Sequence, residues 1–328
     1  MLRPASALLS LSFVGLTVLT LHCGSDGDGS AFDDGAGNRD GGADSGDFGP
    51  GFGNGDGNGN GNGNGSGNGD GGAEVCDGID NDGDGFIDNI DRGNDGICDC
   101  LLIATLGVKG TVGASDVFNT WLNGKSDIGA KDLGDAVLTP ELLAKYQVIV
   151  AQNVKGNHPY GADEVKALKA WVDKGGGFLT LIGYSDAGEA DNVNRLLAPL
   201  GTRYNNVQIL GKGSGPTVPV TIWTQGSPVT AGITRVGIDN GYEVQGTGST
   251  PAPLLARAKE KNSDKTYDVL RGQAVGSGHV LTWGDEWITF DGEWNQNADY
   301  QVERFWLNMI KWLTPATQCQ VPIPPGIK

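Results

Sequence analysis

Histidine, methionine and basic residues are scarce in this chain. Of 328 residues, three are histidine, two methionine and five cysteine, and 23 lysines and arginines face 40 aspartates and glutamates, a formal net charge of −17. A chain so short of positive charge has little with which to neutralise a phosphate backbone, which argues against nucleic acid as a partner. With His22 inside the apolar leader, only His158 and His279 remain as imidazole bases. Cysteine is absent between Cys100 and Cys319. After Cys23 no apolar run is long enough for a membrane-spanning helix.

The leader itself opens Met1-Leu2-Arg3-Pro4, runs largely apolar over residues 5–21 and reaches Cys23. One early positive charge followed by a short apolar stretch describes an export signal, residues 1–23. The segment Leu19-Thr20-Leu21-His22-Cys23 resembles a bacterial lipoprotein signal. That resemblance implies lipidation of Cys23, a membrane anchor, and a place at the outer membrane or cell surface. His22 stands where that family has a small residue, and a plain secretory signal or a single N-terminal anchor is the alternative.

Charge is unevenly placed. Residues 24–100 hold eighteen acids against Arg39 and Arg92, whereas residues 101–328 are nearly balanced. Residues 24–73 are mostly Gly, Asp, Asn and Ser, with Phe32, Phe48 and Phe52 as the large apolar residues. Such a stretch cannot bury enough surface to offset chain entropy, and a disordered tether is expected. At about fifty residues its root-mean-square reach is roughly 40 Å.

Residues 74–100 carry the most specific pattern. In Asp80-Asn81-Asp82-Gly83-Asp84-Gly85-Phe86-Ile87-Asp88, followed by Asp91, acids recur at alternate positions before a glycine and two apolar residues. Read as a calcium loop, Asp80, Asp82 and Asp84 take positions 1, 3 and 5. Gly85 makes the turn at 6, the Phe86 carbonyl serves at 7, Asp88 at 9 and Asp91 at 12. Carboxylates so close together repel one another unless a cation lies between them, and Ca²⁺ is the expected ion. Beyond Cys23, an even number of cysteines in an exported chain suggests two disulfides among Cys76, Cys98, Cys100 and Cys319. Cys98 and Cys100 are too close to pair comfortably, which leaves two pairings. Cys76–Cys98 with Cys100–Cys319 is preferred, because Cys100 precedes the first strand of the main domain and Cys319 follows its last helix. The run from Cys76 to Asp88 resembles a bacterial surface-protein motif, Cys-Asp-Gly-x-Asp-Asn-Asp-Cys-Asp-Gly-x-x-Asp, and dockerin and thrombospondin type 3 loops. Gly83 replaces that motif's second cysteine, so its local disulfide cannot form here.

From residue 101 strands and helices alternate. Strands are expected at 101–106, 148–151, 178–182 and 280–283, and helices at 115–122, 142–146 (a helix end), 162–174, 192–200 and over Val302, Phe305, Trp306, Met309, Ile310 and Leu313. Segment 203–275 alternates Val, Thr and Ile between Pro/Gly turns and reads as a β-rich insert. The expected fold is α/β, a mainly parallel sheet with helices on both faces, over 101–319, with 320–328 as a tail. The order of Tyr146-Gln147-Val148-Ile149-Val150, residues 168–181, Ser227-Pro228-Val229-Thr230-Ala231-Gly232-Ile233, Gly278-His279-Val280-Leu281-Thr282-Trp283-Gly284-Asp285 and residues 308–313 resembles the class I glutamine-amidotransferase-like superfamily. The similarity is to its flavodoxin-like, trehalose-utilisation-type branch, which is largely non-catalytic.

Active members of that superfamily use a cysteine nucleophile on a turn that matches Gly183-Tyr184-Ser185-Asp186. With no cysteine there, amidotransferase chemistry of that type is excluded. A serine variant would pair Ser185 with His158, which follows a strand at the ligand edge, whereas His279 begins a strand at the far edge. A second constellation is Trp283-Gly284-Asp285-Glu286-Trp287, then Asp291, Glu293 and Trp294. Tryptophan faces beside carboxylates suit sugars, and paired carboxylates can also hydrolyse glycosides. The expectation is an exported, lipid-anchored surface protein that binds a carbohydrate or envelope polymer near Tyr184, Asp186, Asp285, Glu286 and Trp287 without catalysis. A hydrolase using Ser185 with His158, or Asp285 with Glu286, is the first alternative. A structural spacer with no small ligand but calcium is the second.

Overall fold

The structure, a computed structural model, describes residues 72–328 apart from 111–113, 184–187, 210–217, 261–262, 297, 319–321, 326 and 328. The leader with Cys23, most of the tether, and Tyr184, Ser185, Asp186 and Cys319 therefore lie outside the described residues. In chain order the elements are β1 (Ile103–Gly107), α1 (Asp116–Asn123), β2 (Lys131–Asp132), α2 (Pro140–Leu143), β3 (Val148–Gln152), α3 (Ala162–Asp173), β4 (Gly177–Leu181) and α4 (Glu189–Leu197). A β-rich stretch follows, with β5 (Thr202–Gln208), β6 (Val218–Trp223), β7 (Val236–Ile238), β8 (Tyr242–Gly246), β9 (Leu254–Lys259) and β10 (Thr266–Val275). The chain closes with β11 (Gly278–Trp283), α5 (Asp291–Gln296) and α6 (Val302–Leu313).

The main sheet runs β2-β1-β3-β4-β11-β10-β9-β6-β7, and β5 pairs with β8 apart from it. Its first five strands are parallel, and β10, β9, β6 and β7 extend it antiparallel. This is the expected α/β architecture with a largely parallel core, and the parallel order is compatible with a flavodoxin-like fold. Residue type explains the centre. Every residue of β3, Val148-Ile149-Val150-Ala151-Gln152, is buried, as a strand covered on both faces requires. Val148 and Val150 join Phe118 of α1 and Phe305 of α6 in one core, while Ile149 and Ala151 join Leu143, Leu168 and Leu196 of α2, α3 and α4 in the other. A Cβ at Gly177 would lie 2.2 Å from the Leu313 carbonyl oxygen, so glycine there lets β4 begin against the end of α6.

Residues 72–100 do not stand apart from this body. Ile97 is 2% exposed and belongs to the same core as α1 and α6, against which Ile323 and Ile327 also pack. The last residues, expected as a tail, thus contribute to the core. Ile87 N–H donates to the Thr317 carbonyl at 3.1 Å. The cysteine pairing differs from the preferred one: Cys76 bonds Cys100, with Cα atoms 5.2 Å apart. Cys98 is disulfide-bonded as well. Burial accounts for the difference, since Cys98 turns into the core beside Ile97 while Cys100, half-buried, faces the acidic segment. Among the described residues no helix is long and apolar enough to cross a membrane.

Candidate functional site

The C-terminal ends of β1, β3, β4 and β11 meet at one edge of the parallel sheet, the edge at which open α/β sheets take ligands. Gln152 ends β3 and is 2% exposed. Its Nε2 donates to Glu286 Oε2 (3.2 Å) and Thr289 Oγ1 (3.1 Å), while its Oε1 has no hydrogen-bond partner. Gly183 leaves β4 at a point where a Cβ would sit 2.1 Å from Glu286 Oε1. Glycine at 183 is therefore what admits the Glu286 carboxyl beneath the exit of β4.

Asp285 follows β11 and is fully buried. Its Oδ2 accepts from Asp239 N–H at 2.6 Å, and its Oδ1 lacks a well-formed hydrogen bond. Burial pushes this carboxyl well above the ordinary range, and the neighbouring Glu286 and Asp239 add to the rise against the lowering by backbone N–H groups. Burial raises Asp239 too. Trp287 is half-buried and stacks on Phe290 with ring centroids 4.4 Å apart, its buried Nε1 unpartnered. The other members of the constellation are structural. Trp283 is buried and parallel to Trp223, Trp294 packs with Phe118 and Trp121, and Asp291 Oδ1 accepts from Val117 N–H (2.8 Å) at the start of α1. Glu293 Oε1 accepts from Gly237 N–H (2.7 Å). Asp285 and Glu286 are thus interior hydrogen-bonding groups rather than the solvated acids a sugar platform suggests, and Trp287 lies at the margin. Gln152 was not singled out from sequence, because it closes an apolar strand and its partners lie far along the chain.

His158 lies in the loop after β3. Its Nδ1 is 2.6 Å from Asp135 Oδ1 and its Nε2 2.9 Å from Glu164 Oε1. Hydrogen bonds donated to Glu164 and Asp135 raise the imidazole above its ordinary value, and Asp135 is lowered by the His158 backbone N–H and then by the ring. With both nitrogens held by carboxylates, the ring is an imidazolium strut between α3 and the loop after β2, with no lone pair to offer a serine. Asn192 Nδ2 donates to the His158 carbonyl at 2.9 Å, and burial pushes the nearby Tyr160 phenol up to about 12. His279 starts β11 at the opposite edge, its ring 4.2 Å from that of Trp312.

The acidic loop is built from local hydrogen bonds. Asp80 accepts from Gly83 and Gly85 N–H (2.7 and 2.9 Å), Asp82 from Asp84 N–H (3.0 Å), and Asp84 from Phe86 N–H (2.8 Å). Gly85 has φ +96°, the left-handed turn that position 6 requires. Glu74, Asp80 and Asp82 bring carboxylate oxygens within 4.8 Å of one another, a hard oxygen set that suits a hard cation. Glu74 was missed from sequence because it precedes the loop's first position. Asp84 also takes Asn89 Nδ2 (2.7 Å), Asp88 takes the amides of Asp77 and Gly78, and Asp91 those of Asp95 and Gly96. The structure thus brings together two of the expected side-chain ligands plus Glu74, and turns the other three toward amides.

No described protein family and no curated protein matches the chain. Its fold is similar to the IFT52 N-terminal domain, with a TM-score of 0.52 and 17% identity, over 65% of this chain and 98% of that one. A cytoplasmic protein of Salmonella typhimurium aligns with TM-score 0.47 and 14% identity over 66% of this chain and 100% of its own. A ThuA-like protein of Bacteroides uniformis aligns with TM-score 0.47 and 14% identity over 67% and 95%. At 17% identity the likeness to the IFT52 domain speaks for the fold alone.

Proposed function

We propose that this is an exported, lipid-anchored surface protein whose α/β domain binds a carbohydrate or other envelope polymer without turning it over. The observation that carries the non-catalytic reading is His158, held between Asp135 and Glu164 where a serine hydrolase needs a free base. The binding edge is the one that gathers Gln152, Asp285, Glu286 and Trp287. There, Gln152 Oε1, Asp285 Oδ1 and Trp287 Nε1 keep hydrogen-bonding capacity that the described residues leave unused, with Tyr184 and Asp186 as further contacts. The test is a glycan and envelope-polymer screen by calorimetry. A ligand whose affinity falls about tenfold in Trp287→Ala, a change of about 1.4 kcal/mol, and is unmoved in Ser185→Ala supports the reading. Ester or glycoside turnover lost in Ser185→Ala, or in Glu286→Gln, would replace it with a hydrolase.

The acidic segment is proposed to hold Ca²⁺ through Asp80, Asp82, Asp84, the Phe86 carbonyl and Asp88, with Glu74 added to the set and Asp91, expected at position 12, given over to the amides of Asp95 and Gly96. Lipidation at Cys23 and a flexible tether over 24–73 complete the proposal. Labelling with a fatty-acid analogue checks the anchor: Cys23→Ala should lose the label and leave the membrane fraction.

A further inference from the structure

The acidic loop occurs twice. At an offset of eleven residues, Asp91-Arg92-Gly93-Asn94-Asp95-Gly96-Ile97-Cys98-Asp99 follows Asp80-Asn81-Asp82-Gly83-Asp84-Gly85-Phe86-Ile87-Asp88, with Asp91, Asp95, Gly96 and Asp99 in the places of Asp80, Asp84, Gly85 and Asp88. The backbones agree. Asp91 Oδ2 accepts from Gly96 N–H (2.8 Å) as Asp80 Oδ2 accepts from Gly85 N–H (2.9 Å). Asp95 Oδ1 accepts from Ile97 N–H (2.9 Å) as Asp84 Oδ1 does from Phe86 N–H (2.8 Å). Gly96 has φ +86° where Gly85 has +96°.

The two loops differ in their positive charge. In the second, the Lys125 ammonium sits on Asp95 Oδ2 with only 10% of its side chain exposed, 4.9 Å from the centroid of the Trp121 ring. Arg92 lies 3.8 Å from Asp99 and 2.7 Å from Asp127. In the first, among the described residues, no lysine or arginine pairs with Glu74, Asp80, Asp82, Asp84 or Asp88. The second loop has also lost an acid, with Gly93 in the place of Asp82. A Cβ at Gly93 would point at Asp95 Oδ2 (3.7 Å) and Asp91 Oδ1 (3.8 Å), with no clash and no left-handed φ.

We propose that Lys125 is the resident cation of the second loop, its ammonium taking the place that an ion takes in the first. Lys125 follows α1, so the pair fastens the acidic segment to the α/β domain without metal, while the first loop answers to calcium. The comparison rests on the calcium reading of the first loop, but the role of Lys125 is tested apart from it.

The test is amide hydrogen exchange on the whole protein, with calcium and with chelator. In the wild type, chelator should speed exchange at Gly83, Gly85 and Phe86 and leave Gly96 and Ile97 unchanged. Lys125→Met should speed exchange at Gly96 and Ile97 about tenfold or more in both conditions, and Lys125→Arg should largely keep the protection. If Lys125→Met does not fold, Asp95→Asn removes the pair from the other side and should give the same result. In the double variant Gly93→Asp, Lys125→Met, calcium should restore protection at Gly96 and Ile97. Unchanged protection in Lys125→Met, loss of wild-type protection there on chelation, or failure of calcium to act on the double variant would overturn the assignment. A first loop indifferent to calcium beside a sensitive Lys125→Met would sink the calcium reading alone.

Discussion

His158 and Asp285 show how a single side chain's surroundings decide what it can do. The imidazole is raised by Glu164 and Asp135. A raised folded value adds stability that is fully present below the unfolded value, about 6.5, and disappears as pH rises through the folded one. The lowered Asp135 and Glu164 work in the opposite sense, losing their share as pH falls through their folded values. The strut therefore contributes most between the carboxylate and imidazolium titrations. His158→Gln should lower the melting temperature most near pH 5–6 and progressively less as pH rises above about 6.5, and a gap constant from pH 5 to 9 would show that the ring is not charged. Asp285 is a carboxyl whose folded value is raised by burial. Its contribution is complete below the unfolded value, about 3.9, and declines as pH rises toward the folded one. Asp285→Asn keeps an oxygen for Asp239 N–H and removes the ionisation, so it should melt higher than wild type at neutral pH, by a margin that widens toward pH 9. A variant less stable than wild type at pH 8 would mean that the carboxylate is charged and well satisfied in place.

Between elements, close approach is what assembles the C-terminal edge. Gly183→Ala drives a methyl group into Glu286 Oε1 and should expel that side chain, breaking its bond to Gln152. The expected loss is about 1–3 kcal/mol by denaturant titration. The same change in a Glu286→Ala background should cost clearly less, because the clashing group is gone; equal losses would place the strain elsewhere. The Cys76–Cys100 bond joins segments 24 residues apart in sequence. Removing it with Cys76→Ser, Cys100→Ser should lower stability by about 2–4 kcal/mol. A negligible change would mean that Ile97, the Cys98 disulfide and Lys125 hold the acidic segment in place without it.

For the whole molecule, the uneven charge matters most. Its acids are concentrated ahead of the sheet, and the six carboxylates from Glu74 to Asp88 repel until a cation enters. Saturating calcium should raise the melting temperature of the full chain and chelator should lower it, with Asp80→Asn, Asp82→Asn abolishing the difference. An unchanged melt in wild type would remove calcium from the account.

Alternation of strands and helices was legible in the sequence because its signals are local. The apolar run of β3, the acids opening α3 and the glycines ending it act over a few residues. The turns of the acidic loop were legible for the same reason, since an Asp side chain reaches amides two to five positions on. What only the tertiary structure decided depends on partners distant in sequence. Cys76 takes Cys100 because Cys98 is turned into the core. Asp285 and Glu286 become interior groups because the loop after β7 and the exit of β4 close over them. His158 loses its availability as a base to Asp135 and Glu164, and Asp95 gains Lys125. A spacing rule lists which residues can reach one another locally, but burial and long-range contact choose which of them do.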